Sequence, residues 1–338
     1  MNYKMVGFVL GRIFWIEAVL MLCPMACSAL FGEWNIVLAF LWPALVLVAL
    51  GMLLGLRQPR NTTIYARDGL VIVALVWVLM SVFGALPFMI SGEIPSFFDA
   101  FFEMVSGFTT TGSTILTDVE AMSRGLLFWR SFSHWVGGMG VLVFAMAVLP
   151  MTDGRAMHLM RAEVPGPTVG KISSKLQDSA KILYEIYFVL TVVEVIILCL
   201  GGMPLYDALI HSFGTAGTGG FSNKALSVGA YNNPFFEIVI GVFMLLFGIN
   251  FNLYYFILLR HFRDVFRSEE LRVYLGIVAF ATITITINIA SLYDNVGTAL
   301  RMAFFQVASV MTTTGYATTD FNLWPNYART VLDRKSVV

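Results

Sequence analysis

The stretch "SGFTTTGSTIL", Ser106 to Leu116, crowds five hydroxyl side chains (Thr109, Thr110, Thr111, Ser113, Thr114) around one glycine, Gly112. It sits in a chain that is 58% hydrophobic and only 12% charged. Polar, irregular backbone is costly beside hydrocarbon, so such a tract must line water or be packed inside protein. Two further tracts align with it without a gap. Residues 99–114 read "DAFFEMVSGFTTTGST", residues 207–222 "DALIHSFGTAGTGGFS" and residues 302–317 "MAFFQVASVMTTTGYA". All three have Ala second (Ala100, Ala208, Ala303), Thr twelfth (Thr110, Thr218, Thr313) and Gly fourteenth (Gly112, Gly220, Gly315). The fifth place is polar in an otherwise apolar run: Glu103, His211, Gln306. One Thr-Thr-Thr-Gly tract alone reads as a surface turn. Three in register are an internal repeat.

The 338 residues include 29 Phe, 18 Met and 7 Trp, and the mean hydropathy is +0.79. No soluble core needs this much apolar sequence, so the chain is read as an all-α integral membrane protein. Apolar runs long enough to cross a bilayer lie near 5–30, 36–56, 69–90, 127–150, 180–201, 236–259 and 273–292. Shorter runs at 96–108, 204–214 and 298–311 each lead straight into a Thr/Gly tract. They are too short to span easily and read as re-entrant segments. Pro95 and Pro204 stand where such helices would start. The N-terminal run resembles a signal peptide, but Arg12 and Glu17 interrupt it and a second span follows at once, so it is read as an uncleaved helix.

Basic residues cluster in alternate loops: Lys4 and Arg12; Arg57, Arg60 and Arg67; Arg155, Arg161, Lys171, Lys175 and Lys181; Arg260, Arg263, Arg267 and Arg272. The positive-inside rule makes these cytoplasmic, with a cytoplasmic N-terminus and all three Thr/Gly tracts facing outside. Two crossings and one re-entrant loop separate equivalent points, so the repeats are parallel about an axis along the membrane normal. Inverted repeats, common in secondary carriers, need an odd number of crossings.

A short helix entering each tract aims its C-terminal end, worth about −0.5 charge, at a cation. The glycines allow successive carbonyls to point one way. Such carbonyls replace a cation's hydration shell. The absence of an Asp or Glu ring favours a monovalent ion.

Several motifs carry a family resemblance: "SGFTTTGST" (106–114), "WVGGMGVLVFAMAVLP" (135–150), "RAEVPGP" (161–167), "GGFS" (219–222), "TTTGYATTDFNLWP" (312–325) and "ARDG" (66–69). The sequence resembles the Trk/Ktr/HKT superfamily of potassium transporters, the TrkH/TrkG branch closely, over nearly its whole length. The resemblance implies repeated helix–pore helix–filter loop–helix units around one pore, four in the family. Here two extra N-terminal helices occupy 1–60. A first pore unit follows over 61–160, a second over 161–268 and a third over 269–338. The third lacks its second helix and the fourth loop does not appear, so the expectation is a C-terminally truncated member.

The resemblance also implies a K⁺ selectivity filter at Thr110, Thr111, Gly112 and Ser113, at Thr218, Gly219, Gly220 and Phe221, and at Thr313, Thr314, Gly315 and Tyr316. In the second loop the register between Gly219 and Gly220 stays open, with Gly220 favoured by the gapless alignment. The implied role is potassium uptake across the bacterial cytoplasmic (inner) membrane, with K⁺ as transported ion and no cofactor. Implied partners are membrane lipid, a second copy in a homodimer and a cytosolic TrkA-like nucleotide-binding regulatory subunit.

Net charge is zero and suggests no nucleic-acid partner. No phosphate loop, metal-spaced His/Cys set or nucleophile elbow marks an enzyme. Cys23, Cys27 and Cys199 read as small buried hydrophobes. Glu194, deep in the fifth span, is read as pairing or packing ahead of ion handling. Glu185 is placed at the interface. Asn250 and Asn252, expected mid-span, are candidates for the cavity below the filter, but interhelical hydrogen bonds are the favoured use. Arg130 and His134 are read as interfacial, and Gly137, Gly138 and Gly140 as sites of close helix approach. Two other functions compete: a non-conducting remnant of such a transporter, and an ion-coupled secondary carrier.

Overall fold

The computed structural model describes residues 1–61, 66–140 and 176–335. Among these, every regular element is helical. The chain divides into two compact units, Met1–Tyr184 and Glu185–Val338.

The first unit opens with α1 (Tyr3–Leu20) and α2 (Leu22–Leu30), which together form one apolar stretch long enough to cross a membrane. Asn2 caps α1 by accepting a hydrogen bond from the Met5 amide. The break at Met21 precedes Pro24, which falls in the first turn of α2 where its missing N–H costs little. Next come α3 (Trp34–Gly55) and α4 (Ala66–Ser91), then the short α5 (Phe97–Phe108) and α6 (Arg124–Gly138). At 22 residues α3 is ~33 Å long, enough to span hydrocarbon.

α4 packs on α5, and α5 on α6. The contact centres on Trp129, which takes Phe40 and Phe108 edge-on with ring centroids 6.0 and 5.9 Å away. The Trp129 indole donates to the Gly84 carbonyl at 3.0 Å. A side chain at Gly84 would strike Met104 and Phe108, so this glycine sets the approach of α4 to α5.

The second unit comprises most of α7 (Leu176–Leu200), then α8 (Leu205–Ala216), α9 (Pro234–Phe247), α10 (Phe251–Leu258), α11 (Phe262–Arg267), α12 (Glu269–Ile289), α13 (Val296–Met311) and α14 (Asn326–Lys335). One core joins Leu198, Phe236, Ile240, Met244 and Phe305. A second joins Ile285, Ala303, Val307, Trp324 and Leu332.

The run lengths translate well into helices. Spans read at 5–30, 36–56, 69–90, 180–201 and 273–292 appear as apolar helices at Tyr3–Leu30, Trp34–Gly55, Arg67–Ser91, Lys181–Leu200 and Glu269–Leu292. The three short runs become α5, α8 and α13. Ser96 caps α5 and Asn295 caps α13 through side-chain oxygens, while Pro204 itself stands at the N-cap of α8.

One expected span is broken. The run at 236–259 is not a continuous span: α9 and α10 meet at 90° across Gly248–Asn250. Asn250 accepts from the Asn252 amide at 3.1 Å and donates to Glu270 at 3.2 Å, so its side chain starts a new helix. The hydroxyls of Tyr254 and Tyr274 donate to the carbonyls of Leu246 and Leu245, at 2.7 and 3.2 Å, in the last turn before the break. Asn250 and Asn252 therefore lie at a break and not mid-helix. The later part of the fourth expected span (141–150), "RAEVPGP", and Arg155, Arg161, Lys171 and Lys175 lie outside the described residues.

Candidate functional site

The three Thr/Gly tracts begin where α5, α8 and α13 end, and they share one backbone course. The twelfth residue of each repeat is left-handed: φ is 55° at Thr110, 53° at Thr218 and 60° at Thr313. A β-branched residue rarely tolerates this region, and holding one there costs on the order of 1–3 kcal/mol. The same uncommon geometry thus recurs at the same place three times. The turn is fastened identically in each loop. Thr110 N donates to Gly107 O and Thr111 N to Ser106 O, at 3.1 and 2.9 Å. The matching bonds are Thr218 N to Thr215 O and Gly219 N to Gly214 O, at 3.1 and 3.0 Å, then Thr313 N to Val310 O and Thr314 N to Ser309 O, at 3.2 and 2.9 Å. This is a Schellman closure, which satisfies the last helical carbonyls.

Two residues on, Gly112, Gly220 and Gly315 have φ of 76°, 75° and 82°. The left-handed glycine of the second loop is Gly220, the residue that the gapless alignment pairs with Gly112 and Gly315.

Each loop's outgoing limb is tied to the polar fifth residue of its own repeat. In the first loop the Glu103 carboxylate accepts from the Thr114 hydroxyl at 2.9 and 3.1 Å and from the Ile115 amide at 3.1 Å. Arg130, from α6, pairs with the same carboxylate, and both side chains are buried. In the second loop His211 Nδ1 lies 2.8 Å from the Asp207 carbonyl, which can only accept. Nδ1 therefore carries the proton, and Nε2 accepts from the Ser222 hydroxyl at 3.1 Å. In the third loop Gln306 donates to the Thr319 carbonyl at 3.4 Å. A carboxylate, an imidazole and an amide thus perform one positioning task.

The second and third loops interlock. The Tyr316 hydroxyl donates to the carbonyls of His211 and Phe221, at 3.0 and 3.2 Å. It stands against Gly214, where any side chain would displace it. A Cβ at Gly220 would collide with the Thr314 carbonyl. Beyond the loops, Gly229 N donates to Ala317 O at 3.1 Å, and Ala317 N donates to the Ser227 hydroxyl at 3.3 Å. Tyr316→Phe removes the single hydroxyl proton that these two carbonyls share, a loss of about 1 kcal/mol that thermal unfolding of the purified chain should register.

The remaining candidates separate. Arg130 and His134 are buried, 2% and 0% exposed, so the interfacial reading of both is corrected. Each lies on the face of α6 turned toward α5. Gly137 fits its close-approach role, because a Cβ there would strike the Phe108 carbonyl. Glu194 is fully buried, with the hydroxyls of Thr215 and Tyr316 as electrostatic neighbours. Glu185 is exposed near the start of α7. Thr111, Ser113 and Thr313 are exposed, while Gly219, Phe221, Thr314 and Tyr316 are buried. Among the described residues no group of His, Cys, Asp and Glu could hold a metal ion.

Apolar helices long enough to span, alternating with short helices that end in repeated uncharged turns, define an all-helical integral membrane protein. The chain belongs to the TrkH family of cation transport proteins, which it matches over residues 37–293. That family is one of transporters and not of enzymes. The chain is 37% identical over 301 residues to the Trk system potassium uptake protein TrkH of Salmonella typhimurium, covering 87% of this chain and 62% of that protein. It is 34% identical to the Trk system potassium uptake protein TrkG of Escherichia coli K12, covering 96% of this chain and 68% of that one. The crystal structure of the potassium transporter TrkH from Vibrio parahaemolyticus superimposes with a TM-score of 0.85 at 29% identity, over 99% of this chain and 70% of that one. The chain thus spans under two thirds of the Salmonella relative's length.

Proposed function

We propose that this polypeptide contributes the ion-selecting part of a potassium uptake system of the bacterial cytoplasmic membrane. The reading gives the backbone carbonyls of Thr110–Ser113, Thr218–Phe221 and Thr313–Tyr316 the task of replacing water around K⁺. One observation carries it: three tracts hold the same strained threonine and the same left-handed glycine at the C-terminal ends of three short helices. Those helix ends supply partial negative charge without a carboxylate. The names of the Salmonella and E. coli relatives support potassium as the ion.

The proposal places the N-terminus in the cytoplasm and the loops outside, with the unit boundaries at 60, 160 and 268 set out above. Its partners are surrounding lipid, a second copy and a TrkA-like nucleotide-binding subunit. Asn250 and Asn252, at the α9–α10 break, are proposed to border the cavity beneath the loops.

The test is rubidium uptake in a strain lacking its own potassium uptake. Uptake inhibited by K⁺ and not by Na⁺ supports the reading. Membrane insertion without any uptake favours the alternative, a polypeptide that does not conduct by itself. Uptake that requires co-transported Na⁺ or H⁺ in fixed ratio favours a coupled carrier.

A further inference from the structure

The cytoplasmic ends assigned to α1 and α3 enclose a cavity of about 550 Å³ that the transport reading does not use. Three cations line it: Lys4, Arg57 and Arg60. No carboxylate does, and among the described residues none of the three forms an ion pair. Its apolar wall is Phe8, Leu53 and Leu54.

The cavity follows from how the two helices meet. They touch backbone to backbone at Gly11 and Gly55, where a Cβ on Gly11 would lie 2.5 Å from the Gly55 nitrogen. Trp15 lies against Gly51 and donates to the Val48 carbonyl at 3.3 Å, which locks the same face. On the other side of this contact a Cβ on Gly7 would meet only a Leu54 methyl, at 3.9 Å, so the helix surfaces part there. Asn2 closes the rim by donating to the Asn61 carbonyl at 2.8 Å, which folds the chain bearing Arg60 back over the start of α1. Arg12 stacks beside the cleft, its guanidinium 5.3 Å from the Phe8 ring centre. Leu53 and Leu56 continue the apolar wall outward, 78% and 63% exposed.

We propose that this cleft binds an anionic phospholipid, its phosphodiester held by Lys4, Arg57 and Arg60 and one acyl chain lying along Phe8 and Leu53. Unpaired cations at the end of a membrane-spanning helix pair attract an anion, and the adjoining leucine wall selects one that carries a hydrocarbon chain. A soluble phosphate or nucleotide would leave that wall exposed. The inference rests on the fold alone and stands apart from potassium transport.

The test uses the purified 338-residue chain in nanodiscs of phosphatidylcholine containing a few per cent phosphatidylglycerol. The readout is the number of phosphatidylglycerol molecules retained after transfer to detergent, by native mass spectrometry. The triple variant Lys4→Gln/Arg57→Gln/Arg60→Gln should retain phosphatidylglycerol about a hundred-fold more weakly, with phosphatidylcholine unchanged. A control, Arg263→Gln/Arg267→Gln/Arg272→Gln, removes as many charges from another basic loop and should behave as the parent. Arg57→Lys/Arg60→Lys keeps the charge and should keep the lipid, which separates binding from misfolding. Equal loss in both triple variants, loss in the lysine variant, or full displacement by millimolar inorganic phosphate would each overturn the proposal.

Discussion

Gly220→Ala is expected to destabilise the second unit by about 2–5 kcal/mol and to abolish any transport the chain supports. Two costs combine. The position is left-handed, with φ of 75°, where a Cβ is penalised by about 1–2 kcal/mol. The added methyl also points into the Thr314 carbonyl, and overpacking costs about 1–3 kcal/mol more. The carbonyl cannot yield cheaply, because Thr314 N is bonded to Ser309 O and the Thr314 hydroxyl to that of Thr312, at 2.9 and 2.7 Å. Thermal unfolding in detergent reads the first effect. Gly276→Ala is the control: that glycine is in α12 with nothing within 4 Å of a new Cβ. It should be neutral or slightly stabilising, by up to ~1 kcal/mol. Equal melting of the Gly220→Ala chain and its parent would mean that the second and third loops do not meet as described.

Glu103→Ala should cost about 3–5 kcal/mol, because it leaves the Arg130 guanidinium buried without its partner. The double variant Glu103→Met/Arg130→Met removes both charges and should recover most of that loss. It does not restore the bonds from Thr114 and Ile115, so the outgoing limb of the first loop stays released. Amide exchange at Ile115 should therefore remain fast in the double variant while global melting returns toward the parent value. A protected Ile115 amide in that variant would show that Glu103 does not hold the limb.

The pattern of helices was legible because bilayer thickness turns run length into a decision. Five of the seven runs of twenty or more apolar residues became helices long enough to span, and runs of about twelve became the short helices that enter the loops. The repeat was legible because its glycines and threonines answer a local backbone demand, which sequence records at fixed spacing. Two kinds of feature were not legible. The break at Gly248–Asn250 hides in a run long enough to read as one span: it depends on Asn250 finding Glu270 and on Tyr254 and Tyr274 reaching carbonyls of the last turn. The burial of Arg130 is equally invisible, since an arginine near a helix start reads as interfacial until Glu103 is placed beside it. The polar fifth residue was visible as an oddity, but its partners lie eleven to thirteen residues away across a turn. Tyr316 was singled out only as a loop residue; its bonds to His211 and Phe221 gave no signal, because they join different repeats.

The central claim is that these loops choose potassium. Its most direct test replaces the three corresponding loops of the Salmonella typhimurium relative with residues 106–116, 214–222 and 309–317 of this chain. Rubidium and sodium uptake are then measured with and without Gly112→Ser. The account predicts that the chimera takes up rubidium in preference to sodium and that Gly112→Ser lowers that preference by about ten-fold, the equivalent of ~1.4 kcal/mol of differential ion binding. A chimera whose preference is the same with glycine or serine at position 112 would contradict it.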